Sequence, residues 1–445
     1  MLDSLHAARV LMGDSLGFHI IFVMFSLTLP ILVAWFEWMG IRKRNKKYTD
    51  VAKFWSKIMT VVVITGVISG TVVALQMSLI WPGILKFGGQ VIGLPFMFET
   101  YAFLIEAVFL ALYMMTWGKV SAGMHWFFGV MVALGANASA FVITSVDAWM
   151  NNPTGFQYIN GKFEHIDVVG AMFSETSWVQ FIHSMPAYYF AATTAVAALY
   201  AVKLLKVRRA ARNSAVHKMD WEILRRLSLV AAVLLVVLYI TADITGKYLA
   251  KNEPAKLAAV ELVYKTGDHV PFIIGGLPAA NDSIAGLYVK VPDMLSLLAG
   301  NNVSTVVQGI DSTPKEEQPP LWIHALFDIK LALIGVLTAL LLLYGIVRWK
   351  RPRLLERRSA LLITAVFGWV GIILVELGWM ITEIGRQPWS VRGYVTTTQA
   401  LTTHDVRLLG YIFPLAYVIL FTLTIFAIRK IIRDNRVSSV AKGDK

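Results

Sequence analysis

Nine long apolar runs, a low charged fraction and a one-sided distribution of basic residues predict an all-α integral membrane protein with nine transmembrane helices. Of 445 residues, 57% are hydrophobic and 16% charged, with a mean hydropathy of +0.62. A water-soluble chain of this length needs far more charged surface. The runs fall at about 18–40, 53–81, 95–117, 125–149, 178–203, 227–246, 323–347, 360–383 and 408–430. Each is long enough to cross a bilayer roughly 30 Å thick. No internal repeat and no low-complexity tract is evident, so residues 1–445 read as a single membrane domain.

Charge sets the orientation of these spans. Basic clusters occupy Arg42–Lys57, Lys203–Arg226, Arg348–Arg358 and the tail from Arg429. With Lys119 they hold 28 of the 41 Lys and Arg residues, all on one side of a nine-span chain. The positive-inside rule makes that side cytoplasmic, placing the N-terminus outside and the C-terminus inside. The net charge of +13 is then mostly a topology signal, and nucleic-acid binding is a poor reading because every basic cluster abuts a span. Residues Met1–Asp14 carry no evident cleavable signal and read as an interfacial amphipathic lead-in. The chain has no cysteine. Disulfides, thiolate-bound iron–sulfur clusters and Cys-x-x-Cys-His haem attachment are therefore excluded, and a redox centre must use His, Met, Lys or carboxylate ligands.

Orientation gives depth to the polar residues inside the spans. His19 starts span one from the outside. Glu99 starts span three, with Glu106 two turns deeper on the same face. His183 lies about one turn into span five and Lys330 about two turns into span seven, after His324 and Asp328. Glu376 and Glu383 share a face near the outer end of span eight. Ionisable groups in hydrocarbon are costly, and all of these fall in the outer half of the membrane. A shared buried polar site explains that better than scatter.

Bland readings stand beside this one. A single His at a span boundary is more often interfacial or hydrogen-bonded than a ligand. His125, His324 and His404 sit at span ends and read as interfacial; His6, His165, His217 and His269 are assigned no role. A Glu383–Arg386 pair could be purely structural, and most Trp and Phe belong to the lipid face and aromatic belts. The outer segments are the informative ones, above all Lys247–Pro320, a long loop with Gly, Pro and Asn punctuation and a short helical stretch at Ala255–Tyr264. Two histidines with carboxylates and no cysteine suit haem iron or a proton pathway. Broken helices in two matching halves, the mark of many transporters, are not seen. Composition and spacing stop at a membrane redox protein or a proton-coupled transporter.

The motifs go further. Ser15-Leu-Gly-Phe-His19, Leu94-Pro-Phe-Met-Phe-Glu99, Ala102-Phe-Leu-Ile-Glu106, His125-Trp126, Asp147-Ala-Trp-Met-Asn-Asn-Pro-Thr-Gly155, Trp178-Val-Gln-Phe-Ile-His183, Glu253-Pro-Ala-Lys-Leu-Ala-Ala-Val-Glu261 and Gly385-Arg-Gln-Pro-Trp389 occur in this order. Together they resemble subunit I of the cytochrome bd quinol oxidases over essentially the full length. The last motif is the most specific.

The resemblance implies an enzyme, a quinol:oxygen oxidoreductase of the prokaryotic cytoplasmic (inner) membrane. Quinol would be oxidised at the outer face near Lys256 and Glu261. A low-spin haem b would be held by His183, and a high-spin haem b and a haem d by His19 and Glu383. Glu99 and Glu106 would shape the oxygen-reducing site and bring it protons from the cytoplasm, and Arg386 would offset haem propionate or Glu383 charge. Energy would be conserved without a pump. The resemblance further implies a second membrane subunit (subunit II) as partner, with room for small accessory subunits, and quinol and oxygen as substrates.

Four departures from the family pattern stand out. Lys330 closes Phe327-Asp-Ile-Lys330 where the resemblance places a Met ligand of the low-spin haem, so Lys330 becomes a candidate iron ligand as a neutral amine. Asp147 replaces a usual Asn, Glu253 a common Gln, and the long loop is short. They motivate an alternative: a divergent bd-like oxidase with an altered low-spin haem and a different electron donor. A proton-coupled transporter without haem is the second alternative.

Overall fold

The computed structural model describes residues 3–206 and 214–443. The first two and last two residues, and the part of the second basic cluster at 207–213, lie outside the described residues. Among the described residues, nine helices or helix pairs are long and apolar enough to cross a membrane. The molecule is an all-helical membrane protein, as its hydropathy predicts. The helices fall into two units by internal contact.

The first unit comprises Met1–Val146, Gly155–Met172 and Thr398–Lys445. Helix α1 (Ser4–Arg42) starts where the Asp3 carboxylate accepts the backbone N–H of His6 at 2.8 Å, filling one of the open donors of a first helical turn. It runs unbroken through the apolar span, so the lead-in at 1–14 is not a separate interfacial helix. At roughly 1.5 Å per residue its 39 residues exceed a bilayer's thickness, and the surplus extends span one. Helix α2 (Lys46–Leu79) is capped by Asn45 and packs along α1. Helix α3 (Pro82–Met115) opens with proline at its first position, where no amide donor is needed. Helix α4 (Ala122–Asn151) follows, with its last turn from Asp147 counted in the second unit. A short antiparallel hairpin, β1 (Gln157–Ile159) with β2 (Lys162–Glu164), and helix α5 (Val168–Met172) come next in this unit.

The second unit comprises Asp147–Thr154 and Phe173–Thr397. Helices α6 (Glu175–Leu205) and α7 (Ala215–Asn252) pair closely. Pro254 then starts α8 (Pro254–Glu261), which ends where Leu262 adopts a left-handed conformation. The outer loop also holds an antiparallel hairpin that periodicity alone does not reveal, β3 (Phe272–Ala279) against β4 (Ser283–Val291), with a bulge between Gly275 and Leu277. Helix α9 (Met294–Gly300) closes the loop's small core around Leu257, Val263, Leu295 and Ile310.

Helix α10 (Ile323–Lys350) is span seven; α11 (Arg358–Phe367) and α12 (Val370–Ile384) together make span eight. A two-strand turn follows, β5 (Trp389–Val391) with β6 (Val395–Thr396), then α13 (Thr397–Ala400). Helix α14 (Leu409–Gly443) supplies span nine to the first unit, where it packs on α1 and α2.

Small residues set the approach of α12 to α6. A Cβ added at Gly371 would lie 2.7 Å from Cα of Ala191, and one at Gly368 2.5 Å from the Thr194 carbonyl. Helices in lipid gain by such close backbone packing because the hydrophobic effect does not separate them from acyl chains. Gly371→Val is expected to cost about 1–3 kcal/mol by overpacking and to lower the unfolding midpoint in detergent. Gly335→Val on α10, where nothing lies within 4 Å, is expected to leave the midpoint unchanged.

Candidate functional site

The stretch after α12 carries the strongest polar knot of the second unit. Arg386 is buried and donates from Nη2 to Glu383 Oε2 at 2.5 Å and from Nη1 to Asp147 Oδ1 at 3.0 Å. The amide of Gln180 donates to Asp147 Oδ2, and Asn151 Nδ2 donates to the same oxygen at 3.3 Å. Burial alone would disfavour the guanidinium charge, but Glu383 and Asp147 outweigh it and hold the Arg386 pKa above its usual value. Asp147, unexplained in the sequence, is therefore a counter-charge to Arg386.

Next to this knot lies a cavity of about 290 Å³. Lys256 reaches it from the first turn of α8, 7% exposed, with its ammonium donating to Asn151 Oδ1 at 2.7 Å and ion-paired to Glu253. Arg392 donates to Asn152 Oδ1 at 3.0 Å and to the Asn252 carbonyl at 2.7 Å, so the wall is fixed from three chain segments. Glu261 does not line this cavity. It is buried at the other end of α8, with one oxygen lacking a hydrogen-bond partner. Its burial, with Asp328 nearby, pushes its carboxyl well above the ordinary range. His324, read from sequence as interfacial, is fully buried here. Its Nδ1 bonds the Val260 carbonyl at 2.6 Å, and Nε2 faces Gly275 O at 3.2 Å and Asp328 Oδ2 at 3.1 Å. It ties α8 and the hairpin to α10.

His183 lies on α6, half-buried, with Nδ1 3.1 Å from Thr241 Oγ1. That hydroxyl gives its own hydrogen to the Leu238 carbonyl, so it accepts from Nδ1–H. The hydrogen-bond network thereby assigns a lone pair to Nε2, the arrangement found in metal-binding histidines. Lys330 stands on α10, where a Cβ at Gly378 of α12 would meet its Nζ at 3.4 Å. Among the described residues its ammonium has no hydrogen bond or ion pair. Two turns inward from Glu383, Glu376 keeps one buried oxygen without a partner, and beside it Trp379 donates to the Tyr188 hydroxyl at 2.6 Å.

The first unit repeats the histidine arrangement. His19 Nδ1 is 2.9 Å from Ser69 Oγ, whose hydrogen goes to the Thr65 or Gly66 carbonyl, so Nε2 again carries the lone pair. Gly70 leaves room for the ring: a Cβ there would sit 2.8 Å from His19 Cε1. Glu106 is buried and Glu99 half-buried on α3, and among the described residues neither carboxyl has a hydrogen-bond or ion-pair partner. His125 is not interfacial. Its Nδ1 bonds Glu37 Oε1 at 2.6 Å and its Nε2 the Tyr113 carbonyl at 2.9 Å, while the Tyr113 hydroxyl donates to Glu37 Oε2 at 2.7 Å. Glu37 had no sequence signal beyond being a carboxylate inside span one.

The expected site residues thus divide between the units. His19, Glu99 and Glu106 belong to the first, and His183, Lys256, Glu261, Lys330, Glu383 and Arg386 to the second. Among the described residues no three His, Asp or Glu side chains converge as a bare-metal cage. His19 and His183 instead each leave Nε2 of a hydrogen-bonded ring without a hydrogen-bond partner among the described residues, a donor chemistry that would suit haem iron.

Residues 7–436 match the sequence pattern of the family described as "Cytochrome bd terminal oxidase subunit I". The chain belongs to that family. Two Bacillus subtilis (strain 168) proteins align with this cytochrome bd subunit I along nearly all of both chains. "Putative cytochrome bd menaquinol oxidase subunit I" is 30% identical over 441 residues, 98% of each. "Cytochrome bd ubiquinol oxidase subunit 1" is 27% identical over 444 residues, covering 96% of this chain and 92% of the relative. A solved structure of bd oxidase from Geobacillus thermodenitrificans superposes with a TM-score of 0.90 at 32% identity, covering 97% and 99% of the two chains. The protein is a multi-pass membrane protein of this bacterial oxidase family.

Removing the guanidinium would strand the carboxylates around it. Arg386→Gln in this cytochrome bd subunit is expected to destabilise the fold by about 3–5 kcal/mol. Adding Asp147→Asn should recover part of the loss, read as a coupling term in denaturant unfolding.

Proposed function

We propose that this chain is the haem-bearing subunit of a quinol-oxidising bd-type oxidase that takes electrons at its outer face and reduces oxygen to water. The observation that carries the reading is the pair of ligand-ready histidines, each with Nδ1 tied to a hydroxyl and Nε2 free. Family membership and the buried Lys256 beside a cavity support it.

In this reading His183 would hold a low-spin haem b, with Lys330, whose Nζ lies near Gly378, as a candidate ligand of the same iron. His19 and Glu383 would hold a high-spin haem b and a haem d. When bound, the haems supply one-electron transfer and oxygen chemistry. The protein's part is to bind, neutralise and deliver protons. The knot of Arg386, Glu383 and Asp147 together with Lys256 and Glu253 sums to three carboxylates against two cations. A cationic iron centre at Glu383 would meet a carboxyl already oriented by Arg386. Glu99 and Glu106, uncompensated in the membrane, suit proton carriers, since a carboxyl with no ionic partner can load and unload a proton without breaking a salt bridge. Lys256 orients the quinol in the cavity.

The basic clusters support a cytoplasmic C-terminus by the positive-inside rule, and in that orientation proton uptake there with release at the quinol site would conserve energy without a pump. Helices α10 and α14 leave most of their apolar length uncovered, which supports a second membrane subunit, subunit II, beside lipid.

A reduced-minus-oxidised absorption spectrum of the purified oxidase tests the reading: haem bands are expected, and their absence would favour a transporter. His183→Ala should remove the low-spin signal and keep the high-spin ones. Lys330→Met should move the low-spin band or its midpoint potential; an unchanged spectrum and potential would remove Lys330 from the ligand set. Lys256→Ala should slow quinol-dependent oxygen uptake, and unaffected uptake would point to a different donor.

A further inference from the structure

The β3–β4 hairpin has a surface that the rest of the second unit leaves bare. Ile274 pairs across the ladder with Val289, and Leu287 lies two residues away along β4. Alternate strand positions share a face, so these three aliphatic side chains stand together. Leu287 is 92% exposed and Val289 58%. The opposite face, with Ile273, Tyr288 and Lys290, looks onto a separate cavity of about 460 Å³ whose wall also holds Lys265, Asp268 and His269. One side of the ribbon is thus aliphatic and the other polar, although residues 272–291 carry only two charges, Asp282 and Lys290.

The ribbon is also held at a defined depth. The Gly275 N–H donates to Asp328 Oδ2 at 2.9 Å, and the Gly275 carbonyl lies 3.2 Å from His324 Nε2. Phe272, on the aliphatic face, meets Phe327 edge-on with ring centroids 6.3 Å apart. All three partners belong to the first two turns of α10. Its 28 residues span about 42 Å against roughly 30 Å of hydrocarbon, so those turns stand in the headgroup layer. Trp322 and Ile329 are exposed at the same end of the helix. The aliphatic face therefore adjoins the bare outer end of span seven.

We propose that the β3–β4 hairpin is an in-plane membrane anchor, with Ile274, Leu287 and Val289 dipping into the lipid surface beside span seven. A two-stranded ribbon has open backbone groups along both edges and cannot enter hydrocarbon. Laid flat among headgroups it keeps water at its edges and buries one apolar face, the balance that holds interfacial segments on a bilayer. A protein partner fits the face less well, because it offers no Trp, Tyr or Arg, the side chains that dominate protein interfaces. Through Gly275 the anchor bears on His324 and Asp328, and His324 in turn holds the Val260 carbonyl of α8. Lipid contact at the hairpin thereby fixes the outer loop against span seven.

The test uses the complete oxidase in nanodiscs of phosphatidylethanolamine and phosphatidylglycerol. The chain has no cysteine, so one introduced thiol can carry an environment-sensitive NBD fluorophore, with the unsubstituted oxidase taken through the same labelling as the blank. The L287C and V289C labels are expected to emit at shorter wavelength than the K290C label on the opposite face. They should lose fluorescence to a lipid with a doxyl group high on its acyl chain and resist iodide, whereas K290C should respond to iodide. Iodide quenching of L287C and V289C equal to that of K290C would overturn the proposal, since the ribbon then stands in water. Labels that neither quencher reaches would overturn it equally, because protein then covers the face. Photolysis of the unsubstituted oxidase with a diazirine-bearing acyl-chain lipid should mark residues 287–289 as well as α10. Marks on α10 with none on β4 would sink the anchor even where the cysteine variants fail to assemble.

Discussion

Arg386 is charged at every accessible pH and sits where span eight leaves hydrocarbon, so much of the second unit is arranged to neutralise it. Its guanidinium geometry demands acceptors in a plane, and the chain supplies Glu383 from the turn before and Asp147 from the end of α4. The same constraint propagates outward. Asp147 is fixed by Gln180 of α6 and Asn151, Asn151 receives Lys256, and Lys256 pairs with Glu253. One unavoidable charge thus organises α6, α8 and the ends of α4, α7 and α12 into a polar layer. A hydrophobic replacement could be as stable; what it could not supply is a carboxyl oriented by a compensating cation at the end of span eight.

The chain solves the opposite problem around its histidines. A neutral imidazole in an apolar span has two nitrogens to satisfy and one worth keeping free. Ser69 and Thr241 each sit one helix away and pass their own hydrogen to a backbone carbonyl, so each accepts from the ring and fixes its tautomer. The two sites share no sequence pattern around the hydroxyl. The common solution lies in geometry: an intrahelical Ser or Thr bond orients the oxygen lone pairs outward.

What was legible in the sequence follows the strength of each physical signal. Nine spans were legible because hydrocarbon thickness fixes their length and apolar character without reference to neighbours. His19, His183, Glu383 and Arg386 were legible because polar groups in spans are expensive enough to stand out. Asp147 could be seen as a departure but not explained, since its partner is 239 residues away. His125 and His324 were misjudged for the same reason: a histidine at a span end looks interfacial until Glu37, Tyr113, Val260 and Asp328 are known to surround it. The β3–β4 hairpin was hidden because its strands alternate poorly and three glycines, Gly275, Gly276 and Gly286, take left-handed conformations within it.

Lys330 shows where the two kinds of reasoning meet. By sequence it is an anomaly; by structure it is an amine with no anion to pair with among the described residues, held near a glycine on the neighbouring helix. An unpaired cation at that depth is costly. Asp328, two residues earlier, turns Oδ2 to Gly275 N and His324, and among the described residues Lys330 forms no ion pair with Asp328, Glu376 or Glu383. The ligand role proposed for Lys330 would give the side chain a partner that the polypeptide around it does not supply.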